Sequence, residues 1–127
     1  MRYNDRSVLE NYHVAHGFAA MKNKDFNILE NFGKEDYKKM RESIITAVLA
    51  TDMAKHFENL TKFNMQADKS TAPACSPNPA DNFDFTKRSD VMFVMGLIIH
   101  VADISNTAKP WELCFRWIEM LFNEFFA

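Results

Sequence analysis

Two residues of contrasting chemistry close an apolar run in this chain. Val91 to Ile99 leads into His100, and Asp103 follows about one helical turn later. A step of three puts the imidazole and the carboxylate on neighbouring positions of one helix face. A carboxylate at the end of a buried helix is costly unless something pairs with it. A metal ion is one good partner, because carboxylate oxygens ligate zinc and magnesium alike. Lys109 is the plainer one. Thr51 and Asp52 raise the same question between Val48-Leu49 and Met53, within what reads as one continuous helix. Asp52 and His56, four apart, suit a charge-assisted pair that ties a helix and does nothing more. Glu10 and His13 form an E-x-x-H step, which alone is the pattern of a surface pair or a cap. Asn106 suits a helix end. Met53, on a helical stripe, suits a core.

The elements that must position these residues read as helices. Ser7-Val8-Leu9-Glu10 has the form of a capping box, with Ser7 as N-cap and a helix to about Met21. Lys22 to Gly33 is polar and broken, with Phe26, Ile28 and Leu29 packing a short turn. From Lys34, apolar residues recur at three and four residues through Tyr37, Met40, Ile44, Ile45, Val48, Leu49, Met53, Phe57 and Leu60. That spacing predicts one long helix, with the charged run Lys34 to Glu42 as its solvated face. Pro73, Pro77 and Pro79 break the pattern, so 68–82 reads as a surface loop. Thr86 or Ser89 caps the next helix, which runs to about Ser105 and is central because 91–99 is apolar all round. Pro110 opens a last helix, with Trp111, Cys114, Trp117, Ile118, Leu121, Phe122 and Phe125 as its buried stripe. The fold class is all-α.

Composition agrees and excludes some functions. With 12 Phe and 8 Met against 3 Gly, and 47% hydrophobic residues in all, the chain suits a packed helical core. A formal net charge of -2 offers no basic face for nucleic acid. Cys75 and Cys114 form no C-x-x-C site or disulfide framework, and a reducing compartment is the default. No unbroken run of about 18 apolar residues exists, so no membrane segment is expected. The first residues lack the apolar core of a signal peptide. The chain opens almost on a motif and stops at Phe125-Phe126-Ala127 within a helical pattern, so the sequence reads as incomplete at both ends.

Three stretches carry a resemblance. His100-Val101-Ala102-Asp103-Ile104-Ser105-Asn106-Thr107-Ala108-Lys109-Pro110 resembles the H-x-A-D-[IL]-S-N-P-x-K-P signature of class I 3',5'-cyclic nucleotide phosphodiesterases, which are metal-dependent HD-type hydrolases. Thr107 replaces the first proline. Tyr3-Asn4-Asp5-Arg6-Ser7-Val8-Leu9-Glu10-Asn11-Tyr12-His13 is similar to that family's Y-N-D-x-S-V-L-E-N-H-H, with Tyr12 in place of a histidine. Leu49-Ala50-Thr51-Asp52-Met53-Ala54-Lys55-His56 is similar to L-A-T-D-M-x-K-H. The motifs stand in the family's order, and the resemblance spans essentially the whole chain but less than half of the family's catalytic domain.

The resemblance implies a multi-helix HD-type domain, present in part, that hydrolyses cAMP or cGMP to the 5'-nucleotide by two-metal hydroxide attack. It implies that Asp103 ligates the tighter metal, usually zinc, with magnesium or manganese as the second. Glu10, Thr51 and Asp52 are then the residues that hold metal-bound water. Asn106 and Met53 are those near the nucleotide. The family's H-N-x-x-H and H-D motifs are missing, because His13, His16, His56 and His100 are followed by Val, Gly, Phe and Val. The glutamine and phenylalanine that clamp the purine are missing too, so the base preference is not legible. The 127 residues alone are therefore expected to be inactive. A cytoplasmic location is expected, with any membrane association carried by regions outside this stretch. Oligomeric state is not encoded in any pattern here. Two other readings compete: a metal-binding four-helix bundle, for which only Glu10 and His13 fit, and a non-catalytic helical interaction module.

Overall fold

The computed structural model describes residues 3–67 and 82–127. Among these residues it contains five α-helices, several 3-10 turns and no strand. The helices are α1 (Val8–Ala20), α2 (Lys34–Leu49), α3 (His56–Ala67), α4 (Arg88–Ile104) and α5 (Trp111–Phe125). The all-α expectation holds. The proposed loop 68–82 lies outside the described residues except for Asn82.

Three boundaries differ from the sequence reading, each for a local reason. Ser7 does precede α1, but it makes no capping box. Its backbone sits at φ 44°, ψ 52°, in the left-handed region, and its side chain caps no helix amide. An N-cap normally has extended dihedrals that bring its oxygen over the first-turn amides. The long helix from Lys34 is in fact two. It stops at Leu49, and Asp52 adopts φ −60°, ψ 114° before a 3-10 turn, Met53–Lys55, that leads into α3. Thr51 and Asp52 are thus turn residues, not mid-helix residues. The apolar recurrence ran through the break in phase, which hid it. Neither Thr86 nor Ser89 caps α4: Lys87 holds that position, and the Thr86 amide and hydroxyl both donate to Asp84 instead.

Helix contacts are few but specific. Arg41 of α2 lies 4.0 Å over the ring of Phe18 in α1. Phe83, buried ahead of α4, stacks between Phe63 of α3 and Phe93 of α4 at centroid distances of 6.0 and 6.2 Å. Arg88 at the start of α4 pairs with Glu42 of α2 at 3.0 Å. Both partners are exposed, so that bridge adds little. The close approach of α4 to the end of α2 is made at Gly96, where a Cβ would stand 2.9 Å from the Cβ of Ala50.

Much of the expected core is open. Of the stripe on α5 only Cys114 is buried, as a free thiol, whereas Trp111, Trp117, Leu121, Phe122 and Phe125 are exposed. On α4, Gly96 and His100 are buried but Ile98 and Val101 are 64% and 60% exposed, so that helix is one-sided rather than central. The span Arg88–Ala108 is long and apolar enough to cross a membrane, by length and composition only. The sequence expectation missed this because a window average tolerates the Asp and Ser residues that interrupt an unbroken run. The core helix of a water-facing domain has the same composition, and α4 packs its Gly96 and His100 against protein.

Two glycine substitutions separate packing from helix propensity. Gly96→Ala should lower stability by about 1 kcal/mol, because overpacking of about 1–3 kcal/mol outweighs a propensity gain of about 1 kcal/mol. Gly17→Ala, with nothing within 4 Å of the new Cβ, should raise it by about 0.5–1 kcal/mol. Urea unfolding of the two variants against the parent checks both signs.

Candidate functional site

The site is built around the turn from Ala50 to His56. Thr51 turns its hydroxyl back, donating to the Val48 carbonyl at 2.7 Å. Such back-bonding offers the chain an alternative to the helix ladder and helps end α2. Asp52 then accepts from the Ala54 amide at 2.9 Å through one oxygen. Its other oxygen accepts from the Ser7 hydroxyl at 2.6 Å, across 45 residues of sequence. Lys55 donates to the Leu49 carbonyl at 3.3 Å and closes the turn. His56, the first residue of α3, lies 2.9 Å from His100 of α4.

Ser7 explains how α1 joins the site. A left-handed backbone costs a residue other than glycine about 1–2 kcal/mol. Here that conformation aims the hydroxyl at Asp52 while the Ser7 carbonyl accepts from Asn11. Glu10, half-buried, follows on the first turn of α1. It makes no ion pair with His13 among the described residues. Tyr12 packs on the ring of His16 at 4.2 Å instead.

The expected Asp52–His56 pair is therefore not formed, because each partner is engaged elsewhere. Nor is the plain reading of Asp103 realised. Asp103 is exposed near the end of α4 and has no ion pair among the described residues. Lys109, its expected partner, lies 5.1 Å over the ring of Trp117. Met53 is 58% exposed on the turn rather than core. Asn106 sits in the 3-10 turn Ser105–Ala108; its amide donates to the Cys114 carbonyl at 3.5 Å, while its Oδ1 is buried without a partner among the described residues. It thus ties α4 to α5 and leaves an acceptor unused.

The family implied by the motifs is metal-dependent, and the residues here do not make a metal site by themselves. No group of three His, Cys, Asp or Glu among the described residues is placed to hold an ion. Sequence reasoning also missed the His56–His100 contact, which joins helices 44 residues apart. The only signal was an imidazole at the end of an apolar run.

The electrostatics of the turn are testable. The Ser7 hydroxyl and then the Ala54 amide hold the Asp52 carboxyl below its ordinary value of 3.8; burial pushes it up, and the Lys55 charge adds a smaller pull down. A carboxyl with a depressed folded pKa lends stability that is present above the unfolded value and lost as pH falls through the folded one. Asp84 is held down in the same way by Thr86 and Lys87. Ser7→Ala should raise the Asp52 pKa toward 3.8 by carboxyl NMR titration and flatten the fall of Tm below about pH 4. An unchanged titration would break the link between α1 and the turn.

Comparison with known proteins closes the question of kinship. Residues 1–127 match the 3'5'-cyclic nucleotide phosphodiesterase family. The chain is 39% identical over 126 residues to the 3',5'-cyclic-nucleotide phosphodiesterase regA of Dictyostelium discoideum, covering 99% of this chain and 14% of that protein. It is 38% identical over 127 residues to a high affinity cGMP-specific 3',5'-cyclic phosphodiesterase of Drosophila melanogaster, covering 100% of this chain and 8% of that one. It thus spans a small part of the length of these relatives. The phosphodiesterase domain of the Salpingoeca rosetta rhodopsin phosphodiesterase superposes with a TM-score of 0.73 at 35% identity, covering 91% of this chain and 32% of that domain's chain. The chain, with its Ser7–Asp52 turn and its exposed Asp103, belongs to the 3',5'-cyclic nucleotide phosphodiesterase family.

Proposed function

We propose that this chain forms about a third of a catalytic domain that hydrolyses cAMP, cGMP or both to the 5'-nucleotide, in cyclic nucleotide signalling. The observation that carries the reading is Asp103. It stands free at the end of an apolar helix, within the family's signature, while its obvious counter-ion is turned onto Trp117. A solvent-facing carboxylate with no ion pair among the described residues suits a metal ligand. In the complete domain Asp103 would hold one of two divalent ions, zinc, with magnesium or manganese as the other. Those ions supply charge neutralisation at the cyclic phosphate.

The remaining roles follow the same reading. Glu10, Thr51 and Asp52 orient water around the metals by hydrogen bonding, with Asp52 fixed by Ser7. Asn106 offers its unused Oδ1, and Met53 its exposed thioether, to the bound nucleotide. The rest of the domain covers the open apolar faces of α4 and α5. A cytoplasmic location fits a chain with a free buried thiol at Cys114.

The test is hydrolysis of cAMP and cGMP in zinc and magnesium by two polypeptides. The 127 residues alone should show none. A longer chain that includes the upstream H-N-x-x-H and H-D motifs should be active. Asp103→Asn in that longer chain should lower kcat/KM by at least about 100-fold, the upper end of what a group supporting a ligand costs. Activity of the short chain, or full activity of Asp103→Asn, would contradict the reading.

A further inference from the structure

His56 and His100 have a geometry that none of the roles above uses. Their rings are 5.2 Å apart between centroids, with Nδ1 of His56 at 2.9 Å from Nε2 of His100. His100 is 3% exposed, and its other nitrogen, Nδ1, is buried without a partner among the described residues. Which ring donates depends on the tautomer, and the orphan bears on it. Orphaned buried donors are rarer than under-used acceptors. With the His100 proton on Nε2, which leaves an unused acceptor rather than an orphaned donor at Nδ1, its N–H donates to Nδ1 of His56, whose own proton is then on Nε2.

This bond joins two rigid points. His56 ends the Thr51–Asp52–Met53 turn, and His100 is one turn after Gly96, where α4 already touches Ala50. Two contacts, four residues apart on one helix, fix both the height and the rotation of α4 against the turn. Asp103 is three residues further on.

We infer that His56 and His100 are a positioning pair for the site: their hydrogen bond sets the rotation of α4 and so aims the Asp103 carboxylate relative to Thr51 and Asp52. The bond itself follows from the geometry. Its effect on turnover rests on the phosphodiesterase reading.

The test uses the full-length active polypeptide that carries this segment. His100→Phe keeps a ring but removes the donor, whereas His100→Gln puts an amide N–H near the place of Nε2. His56→Phe and His56→Asn do the same for the acceptor. The phenylalanine variants should lose about 10–100-fold in kcat with KM little changed, as for groups that orient metal ligands. The amide variants should recover most of it. Unchanged kcat in the phenylalanine variants, or equal losses in the phenylalanine and amide variants, would overturn the inference. Should His100→Phe fail to fold, long-range 1H–15N spectra of the parent decide: Nε2-protonated His100 coupled to His56 is expected, and the opposite tautomer or two unbonded rings would overturn it. If Asp103→Asn abolishes hydrolysis while His100→Phe retains it, the inference falls and the functional reading stands.

Discussion

Asp52 accepts from two directions at once, from the Ala54 amide within its own turn and from the Ser7 hydroxyl at the start of α1. The rest of the site depends on that carboxylate. It sits between one helix and the next, and it accepts from Ser7 at the start of α1, where the backbone is left-handed. On its far side the same turn meets α4 twice, at Ala50 against Gly96 and at His56 against His100. Three motifs remote in sequence are thus held by one seven-residue segment. Charge-assisted bonds of this kind are stronger than neutral ones, which suits an acid for this place.

Legibility in the sequence followed the range of the physics. The helices α1, α4 and α5 were read within a few residues because periodicity and proline placement are local signals. The break between α2 and α3 was not, because Met53, Phe57 and Leu60 continue the phase of Val48 and Leu49 across it. Thr51-Asp52, two residues that favour turns and caps, was the available sign of the break. Ser7 was placed correctly but given the wrong partner, since its hydrogen bond reaches 45 residues away. Burial on α5 was misjudged because a periodic apolar stripe says which face wants covering and not whether anything in the chain covers it.

That uncovered surface bears on function. Trp111, Trp117, Phe122 and Phe125 are exposed on one helix, and a cleft of about 590 Å³ between α3 and α4 is lined by Leu60, Phe63, Leu97 and Ile98 beside the two histidines. Exposed apolar patches of this kind mark surfaces that other protein covers. The solved phosphodiesterase domain that superposes on this chain is about three times its length, with 32% of it matched. Glu10, Thr51, Asp52 and Asp103, by contrast, are polar, and none of them is deeply buried.

The most direct measurement is a double-mutant cycle on Ser7 and Asp52, with Ser7→Ala, Asp52→Ala and the pair compared by urea unfolding at neutral pH. If the turn is held through their hydrogen bond, the two changes are strongly non-additive, with a coupling of about 1 kcal/mol or more. If the effects simply add, Ser7 and Asp52 act independently, and the account of α1 and the turn as one unit is wrong.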